Sequence, residues 1–201
     1  MLGTSGNLSI LITEPTNLQS NEPRKFLITA SGKDKGELTE DDFVLVNESG
    51  VIASEAKQSH LNYNDHEIAL RNDINKPSAE TLLHSAIYKH TNAKAIFHVH
   101  TTNSTLLSQF SHLTFSNLEM LKGLGFKTHD VKITIPVIEN SQDMEYIASI
   151  APSYINEEVP GLLLKGHGLY AWGENPFEAK RHVEIFEFLF EYRVKELSLK
   201  I

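Results

Sequence analysis

Three histidines stand where a strand or a glycine turn can direct imidazole groups to a common centre. His98 and His100 lie in an apolar segment and are separated by a single residue, Val99. Because side chains alternate across a strand, both histidines face the same side. His167 lies between two glycines directly after another apolar segment, in a bend that leaves its imidazole accessible. Three imidazole nitrogens with an open position are typical of a catalytic zinc site, although iron, cobalt or manganese also fits such ligands. Each segment alone also fits imidazole packing on a sheet or a simple turn.

A carboxylate flanked by apolar residues is the next candidate. Glu119 lies between Leu118 and Met120. A carboxyl group in apolar surroundings has a raised pKa and can carry a proton near neutral pH. Glu119 is therefore a candidate general acid or base, and a solvated glutamate at the edge of a helix is the alternative that the residues alone favour.

Two glycine-bearing turns are candidate anion sites. The segments Thr4-Ser5-Gly6-Asn7 and Thr29-Ala30-Ser31-Gly32 both offer hydroxyl groups and free backbone N–H groups, which can form a nest for a phosphate. Neither segment matches a Walker loop or a dinucleotide-binding fingerprint. Ordinary turns between strands are the alternative, because glycine is common in turns.

Short apolar segments bounded by turn residues predict the strands that position these candidates. The predicted strands cover residues 8–13, 25–29, 43–47, 95–100, 133–137, 161–165 and 169–172. Two aromatic residues of the last segment, Tyr170 and Trp172, fit either the wall of a site or ordinary sheet packing.

Apolar residues at helical spacing predict the helices. The predicted helices cover residues 79–90 with Ser78 as the cap, residues 103–110, residues 142–151 and a long C-terminal helix from Pro176, with a helical turn at 39–42. The last helix has an apolar stripe of Phe186, Leu189, Phe190, Val194 and Leu197. A helix of this kind docked on a sheet gives an α/β sandwich, and a coiled-coil partner is the alternative for the stripe.

The composition excludes several classes of function. The 201 residues include no cysteine, which excludes disulfides, iron–sulfur clusters and thiol nucleophiles. The net charge of -8 argues against nucleic-acid partners, which need a concentrated basic surface. No apolar run is long enough for a membrane helix, and residues 1–12 lack the pattern of a signal peptide, so we expect a soluble cytoplasmic protein with a single domain over residues 1–201.

Five motifs in this order resemble the class II aldolase/adducin family. They are Thr-Ser-Gly-Asn-Leu-Ser at 4–9, Ile-Thr-Ala-Ser-Gly at 28–32, Lys-Pro-Ser-Ala-Glu-Thr at 76–81, His-Val-His at 98–100 and Lys-Gly-His-Gly-Leu-Tyr-Ala-Trp-Gly at 165–173. The resemblance implies an αβα sandwich with a central, mostly antiparallel β-sheet. It also implies a lyase that acts on a sugar phosphate, with one zinc ion per subunit, in a homotetramer with active sites between subunits.

The resemblance further implies a role for each candidate residue. The three histidines, His98, His100 and His167, match the zinc ligands, and Glu119 matches the acid/base of the family's dehydratases. Five residues match positions that hold the substrate phosphate in related aldolases: Gly6, Asn7, Ser31, Gly32 and Ser78. Glu80 matches a glutamate that approaches zinc and moves protons in the aldolases, so it is a further candidate acid/base or ligand.

Within the family, the motifs favour a dehydratase. The segments that do so are 98–104, 119–123, 135–143 and 168–173. An aldolase of the same family is the alternative, and a metal-free scaffold like the adducin branch is a third, which the three histidines disfavour. The resemblance also implies a helix before the first motif, and because that motif begins at residue 4 we expect this helix to be short or missing.

Overall fold

Eight strands form the framework of the protein in the computed structural model, which describes residues 6–13, 23–50, 76–156 and 158–199. The strands are β1 (Asn7–Thr13), β2 (Lys25–Thr29), β3 (Phe43–Asn47), β4 (Ala95–Val99), β5 (His112–Ser116), β6 (Lys132–Ile138), β7 (Gly161–Leu164) and β8 (Gly168–Gly173). Thr4 and Ser5 of the first predicted anion turn lie outside the described residues.

The strands pair into one sheet in the order β3-β2-β1-β4-β8-β7-β6-β5. All neighbours run antiparallel except β6 and β7, which are parallel. The prediction of a mostly antiparallel central sheet is therefore confirmed.

The helices connect and cover these strands. They are α1 (Thr81–His90), α2 (Thr102–Leu107), α3 (Met144–Ile150) and α4 (Pro176–Leu199), with short 3-10 helices at Glu40–Asp42, Glu119–Leu124 and Ala151–Ser153. No helix in the described part of the chain is long and apolar enough to cross a membrane.

Two hydrophobic cores lie on opposite faces of the sheet. In β8, Tyr170 and Trp172 belong to the core beneath α1 and α3, whereas Leu169 and Ala171 belong to the core beneath α4. The division follows from the strand itself, since successive side chains point to opposite faces. Helices cover both faces, which confirms the predicted αβα sandwich.

The structure corrects three details of the sequence prediction. The edge strand β5 was not predicted, because its segment His-Leu-Thr-Phe-Ser is short and carries only two large apolar residues. Helix α1 begins at Thr81 and not at residue 79, because Ser78 shapes the preceding turn by accepting hydrogen bonds from Glu80 N and Thr81 Oγ1. The apolar stripe of α4 ends before Leu197, which is 51% exposed.

Candidate metal centre

Four side chains converge at one end of the central strands. His98 is near the end of β4, His100 follows that strand, His167 lies in the turn between β7 and β8, and Glu80 immediately precedes α1. One ligand atom from each of the four lies within 4.8 Å of all the others. The structure thus brings the three histidines predicted as ligands together with Glu80, which the sequence analysis names as a further candidate ligand or acid/base.

The converging atoms are three Nε2 nitrogens and the two carboxylate oxygens. His98 Nε2 is 2.7 Å from His100 Nε2 and 3.4 Å from His167 Nε2. Glu80 Oε1 is 3.1 Å from His167 Nε2, and Glu80 Oε2 is 3.3 Å from His98 Nε2. Nitrogen and oxygen donors in this number and arrangement suit a zinc-type ion.

The protonation of His98 suits a metal ligand. Its Nδ1 lies 2.9 Å from the carbonyl oxygen of Leu169, and a carbonyl only accepts, so Nδ1 donates and Nε2 keeps a free lone pair. Burial lowers the pKa of His98 to about 3, against a smaller opposing effect of Glu80, and burial also lowers the pKa of His100. Both rings are therefore neutral at physiological pH, the form that binds metal ions.

Glu80 stays ionised in a site that is largely closed to water. Burial alone raises its pKa, but the hydrogen bonds with His167 and Tyr170 lower the pKa by a larger amount, so that the net pKa is well below the ordinary value. Asn7 Nδ2 and Tyr170 Oη donate to Glu80 Oε2 at 2.5 and 2.7 Å. The carboxylate is thus held in place from two strands, β1 and β8.

Two glycines let the backbone approach this centre closely. A Cβ atom on Gly168 would lie 2.3 Å from Val99 O, 3.0 Å from His100 Cδ2 and 3.2 Å from His98 Cε1. A Cβ atom on Gly6, whose φ is +81°, would lie 2.3 Å from His98 O. Gly6, predicted as a phosphate-binding residue, therefore also makes room for the strand that carries two histidines.

Glu119 lies in a different environment from the one its apolar neighbours indicate. It begins the 3-10 helix Glu119–Leu124, and its side chain is 71% exposed, 2.5 Å from Lys122 Nζ and 3.5 Å from His129 Nδ1. The hydrogen bond from Lys122 lowers the pKa of Glu119, so the expectation of a raised pKa is wrong for this chain. The physical reason is that the helix directs the carboxylate to solvent while Leu121 and Leu124 are buried. Glu119 does not belong to the group of four, and its catalytic role stays a prediction.

The predicted phosphate-binding residues gather near the same end of the sheet. Asn7 begins β1 beside the end of β2, and the bridge between Ala30 and Pro77 joins the Ser31 turn to the segment that contains Ser78. Ser31 N donates to Lys76 O at 2.9 Å, and Gly32 is exposed with a φ of +76°. The amide of Asn7 is directed to Glu80, a contact that the sequence did not predict.

Sequence reasoning also missed the contact between Tyr170 and Glu80. Tyr170 is fully buried and its ring stacks on His98, with 4.0 Å between the ring centroids. Strand alternation gives the face of β8 on which Tyr170 lies, but the pairing of β8 with β4, which places it opposite His98, is not visible in either segment alone.

One known protein family matches almost the whole chain. Residues 1–194 match the family described as Class II Aldolase and Adducin N-terminal domain. The chain belongs to this family.

Two curated relatives of this chain carry the same name. The methylthioribulose-1-phosphate dehydratase of Persephonella marina is 41% identical over 193 residues, which cover 94% of this chain and 79% of that protein. The methylthioribulose-1-phosphate dehydratase of Bacillus subtilis is 39% identical over 201 residues, which cover 98% of this chain and 85% of that protein.

Solved structures of class II aldolases share the fold. An L-fuculose 1-phosphate aldolase superposes with a TM-score of 0.70 at 22% identity, over 98% of this chain and 78% of that chain. The L-fuculose-1-phosphate aldolase of Thermus thermophilus superposes with a TM-score of 0.63 at 25% identity, over 96% of this chain and 86% of that chain.

Proposed function

We propose that the protein is a methylthioribulose-1-phosphate dehydratase, a hydro-lyase of methionine salvage. It converts 5-methylthioribulose 1-phosphate to 2,3-diketo-5-methylthiopentyl 1-phosphate and water. The observation that carries the proposal is the convergence of three imidazoles and Glu80 in a chain that is similar to such dehydratases over almost its whole length.

We propose that His98, His100 and His167 hold one zinc ion per subunit, with Glu80 beside it as an additional ligand or acid/base. When bound, zinc supplies Lewis-acid stabilisation of negative charge on the oxygens of the substrate. The chain's own contribution is to keep the imidazoles of His98 and His100 neutral, to fix the tautomer of His98 through Leu169 O, and to exclude water from Glu80.

Glu119 is the proposed acid/base. Its lowered pKa makes it a carboxylate at neutral pH, ready to accept the proton that leaves C3 of the substrate. The same carboxyl group then returns a proton to the C4 hydroxyl, which leaves as water, and the resulting enol relaxes to the 2,3-diketone. Because Glu119 is exposed and separate from the four converging side chains, we propose that it acts in a homotetramer with active sites between subunits. A cytoplasmic location belongs to the same proposal.

The substrate phosphate is proposed to bind at the turns near the same end of the sheet. The residues proposed for this contact are Gly6, Asn7, Ser31, Gly32 and Ser78. Anchoring the phosphate would use binding energy to place C3 against the base.

Product analysis tests the reaction itself. We expect NMR to show the diketone phosphate when the purified protein is given 5-methylthioribulose 1-phosphate, and a chelator to abolish its formation. Formation of dihydroxyacetone phosphate would instead indicate the aldolase reaction, the alternative within the family. A zinc content near zero after purification without chelator, together with no product, would favour the metal-free scaffold.

The variant Glu119→Gln tests the assignment of the acid/base. We expect kcat to fall by about 100-fold or more, because general acid–base catalysis typically contributes that much, with the zinc content unchanged. Glu191→Gln is the matched control, since Glu191 is also exposed and lies 2.5 Å from a lysine, Lys195, but belongs to α4. A Glu119→Gln enzyme with a nearly normal rate would remove Glu119 from this role.

A further inference from the structure

Tyr170 touches two of the four converging residues at once. It lies within β8, is fully buried, and is paired in register with His98 of β4. The rings of Tyr170 and His98 are stacked, with an interplanar angle of 14°. Any rotation of the Tyr170 ring therefore disturbs the surface on which the His98 imidazole rests.

The hydroxyl group of Tyr170 holds one oxygen of Glu80. Tyr170 Oη donates to Glu80 Oε2 at 2.7 Å, and Asn7 Nδ2 donates to the same oxygen at 2.5 Å. The other oxygen, Oε1, lies 3.1 Å from His167 Nε2. The two donors thus fix the rotation of the carboxylate and direct Oε1 to His167.

A second polar group fixes Tyr170 from the side of α1. The ring of His84 meets the ring of Tyr170 edge-on, with 5.6 Å between centroids. His84 Nδ1 lies 2.7 Å from Ser9 Oγ, and both residues are buried. Tyr170 thus contacts the rings of both His84 and His98, and its hydroxyl group donates to Glu80.

We infer that Tyr170 is a positioning residue that sets the orientation of Glu80 relative to the three histidines. The inference rests on the proposed function, because it assigns Tyr170 to the proposed metal centre. When a residue that hydrogen-bonds to a metal ligand is removed, the metal affinity typically falls by 10- to 100-fold. Tyr170 therefore increases the metal affinity of the centre without contacting the ion.

The test compares two variants that each lose one buried tyrosine hydroxyl. Tyr170→Phe keeps the ring that stacks on His98 and removes the donor to Glu80. Tyr88→Phe removes a hydroxyl that bonds to Ser9 in the same layer and makes no contact with the four converging residues. We expect the zinc affinity, measured by competition with a chelating indicator, to fall about tenfold or more in Tyr170→Phe and to stay within about twofold in Tyr88→Phe.

Two further measurements separate positioning from a general loss of structure. The visible absorption spectrum of the cobalt-substituted protein should change in Tyr170→Phe and match the wild type in Tyr88→Phe. In a Glu80→Gln background, Tyr170→Phe should have little further effect on zinc affinity, because the two residues act as one unit. If Tyr170→Phe does not fold, Asn7→Ser removes the other donor to Glu80 Oε2 and should lower zinc affinity in the same way.

The possible outcomes are distinct. Wild-type zinc affinity and a wild-type cobalt spectrum in Tyr170→Phe would overturn the inference and leave the proposed function standing. An equal loss of affinity with and without Glu80 would also overturn it. Failure of the wild-type protein itself to bind zinc or cobalt would remove the proposed metal centre and the inference with it.

Discussion

Two glutamates of this chain carry their charge in opposite surroundings. Glu80 is shielded from water, lies close to imidazoles and accepts hydrogen bonds from two neutral side chains. Glu119 is instead exposed beside Lys122 and His129. The pKa of Glu80 is raised by burial but lowered by a larger amount by its hydrogen bonds with His167 and Tyr170, and the pKa of Glu119 is lowered by its hydrogen bond from Lys122. The buried carboxylate is suited to a fixed position near a metal ion, and the exposed one to exchanging protons.

Burial of His84 makes stability depend on pH. Burial lowers the pKa of His84 from 6.5 to about 4. Between these pH values the unfolded chain binds a proton at this residue that the folded chain does not, so the free energy of unfolding falls as the pH falls. The contribution of His84 is about 2 kcal/mol between pH 6.5 and pH 5.

Urea unfolding in the presence of a chelator, at a series of pH values, checks this prediction. The variant His84→Gln keeps a side chain that can bond to Ser9 Oγ but has no proton to gain. We expect its stability to decrease less steeply below pH 6.5 than that of the wild type. Equal slopes in the two proteins would show that His84 does not control this part of the pH dependence.

At the scale of elements, the adjacent strands β4 and β8 build the centre. Their register pairs His98 with Tyr170 and Val99 with Leu169, and Leu169 O accepts the bond from His98 Nδ1. The turn before β8 contributes His167, whose carbonyl oxygen accepts from Thr105 Oγ1 of α2 at 3.1 Å. A small change in the separation of the two strands therefore moves several ligand groups together.

The variant Gly168→Ala tests this dependence on strand separation. The added Cβ atom would lie 2.3 Å from Val99 O, so β8 must move away from β4. We expect a loss of about 1–3 kcal/mol in stability, typical of overpacking, together with weaker zinc binding. The control is Gly36→Ala, where the nearest heavy atom is Asp34 Oδ1 at 3.4 Å. Unchanged zinc affinity and stability in Gly168→Ala would contradict the tight packing of these strands.

At the scale of the whole molecule, helices on both faces fix the sheet that carries the centre. Helix α4 contacts β8, β4, α2 and the 3-10 helix of Glu119. Its buried residues Phe186, Leu189 and Phe190 belong to the core on that face. The helix thus supports both the histidine strands and the segment that begins with Glu119.

Two phenylalanines of α4 show whether the helix contributes to stability through the packing of its buried face. Phe186 is fully buried and Phe177 is 76% exposed. We expect Phe186→Ala to lower the free energy of unfolding by about 3–5 kcal/mol and Phe177→Ala to change it by less than about 0.5 kcal/mol, measured by urea unfolding. Similar losses in the two variants would contradict the assigned face of the helix.

The sequence by itself determined most of the local elements and singled out the three histidines that converge in the structure. Strands β2 and β3 have the predicted bounds, and the other predicted strands and helices differ from the structure by a few residues at their ends. Hydrophobic periodicity and turn residues are local properties, so they can be identified within one segment. The motif at 98–100 and His167 between its glycines were visible in the same way.

Only the tertiary structure decided which distant residues meet and which side chains face water. The contact of Tyr170 with Glu80 joins residues 90 positions apart and depends on the pairing of β8 with β4 and the docking of α1. The exposure of Glu119 depends on how its short helix packs, since Leu118 and Met120 beside it indicated apolar surroundings. Strand register and helix docking arise from packing over the whole core, so no single segment contains them.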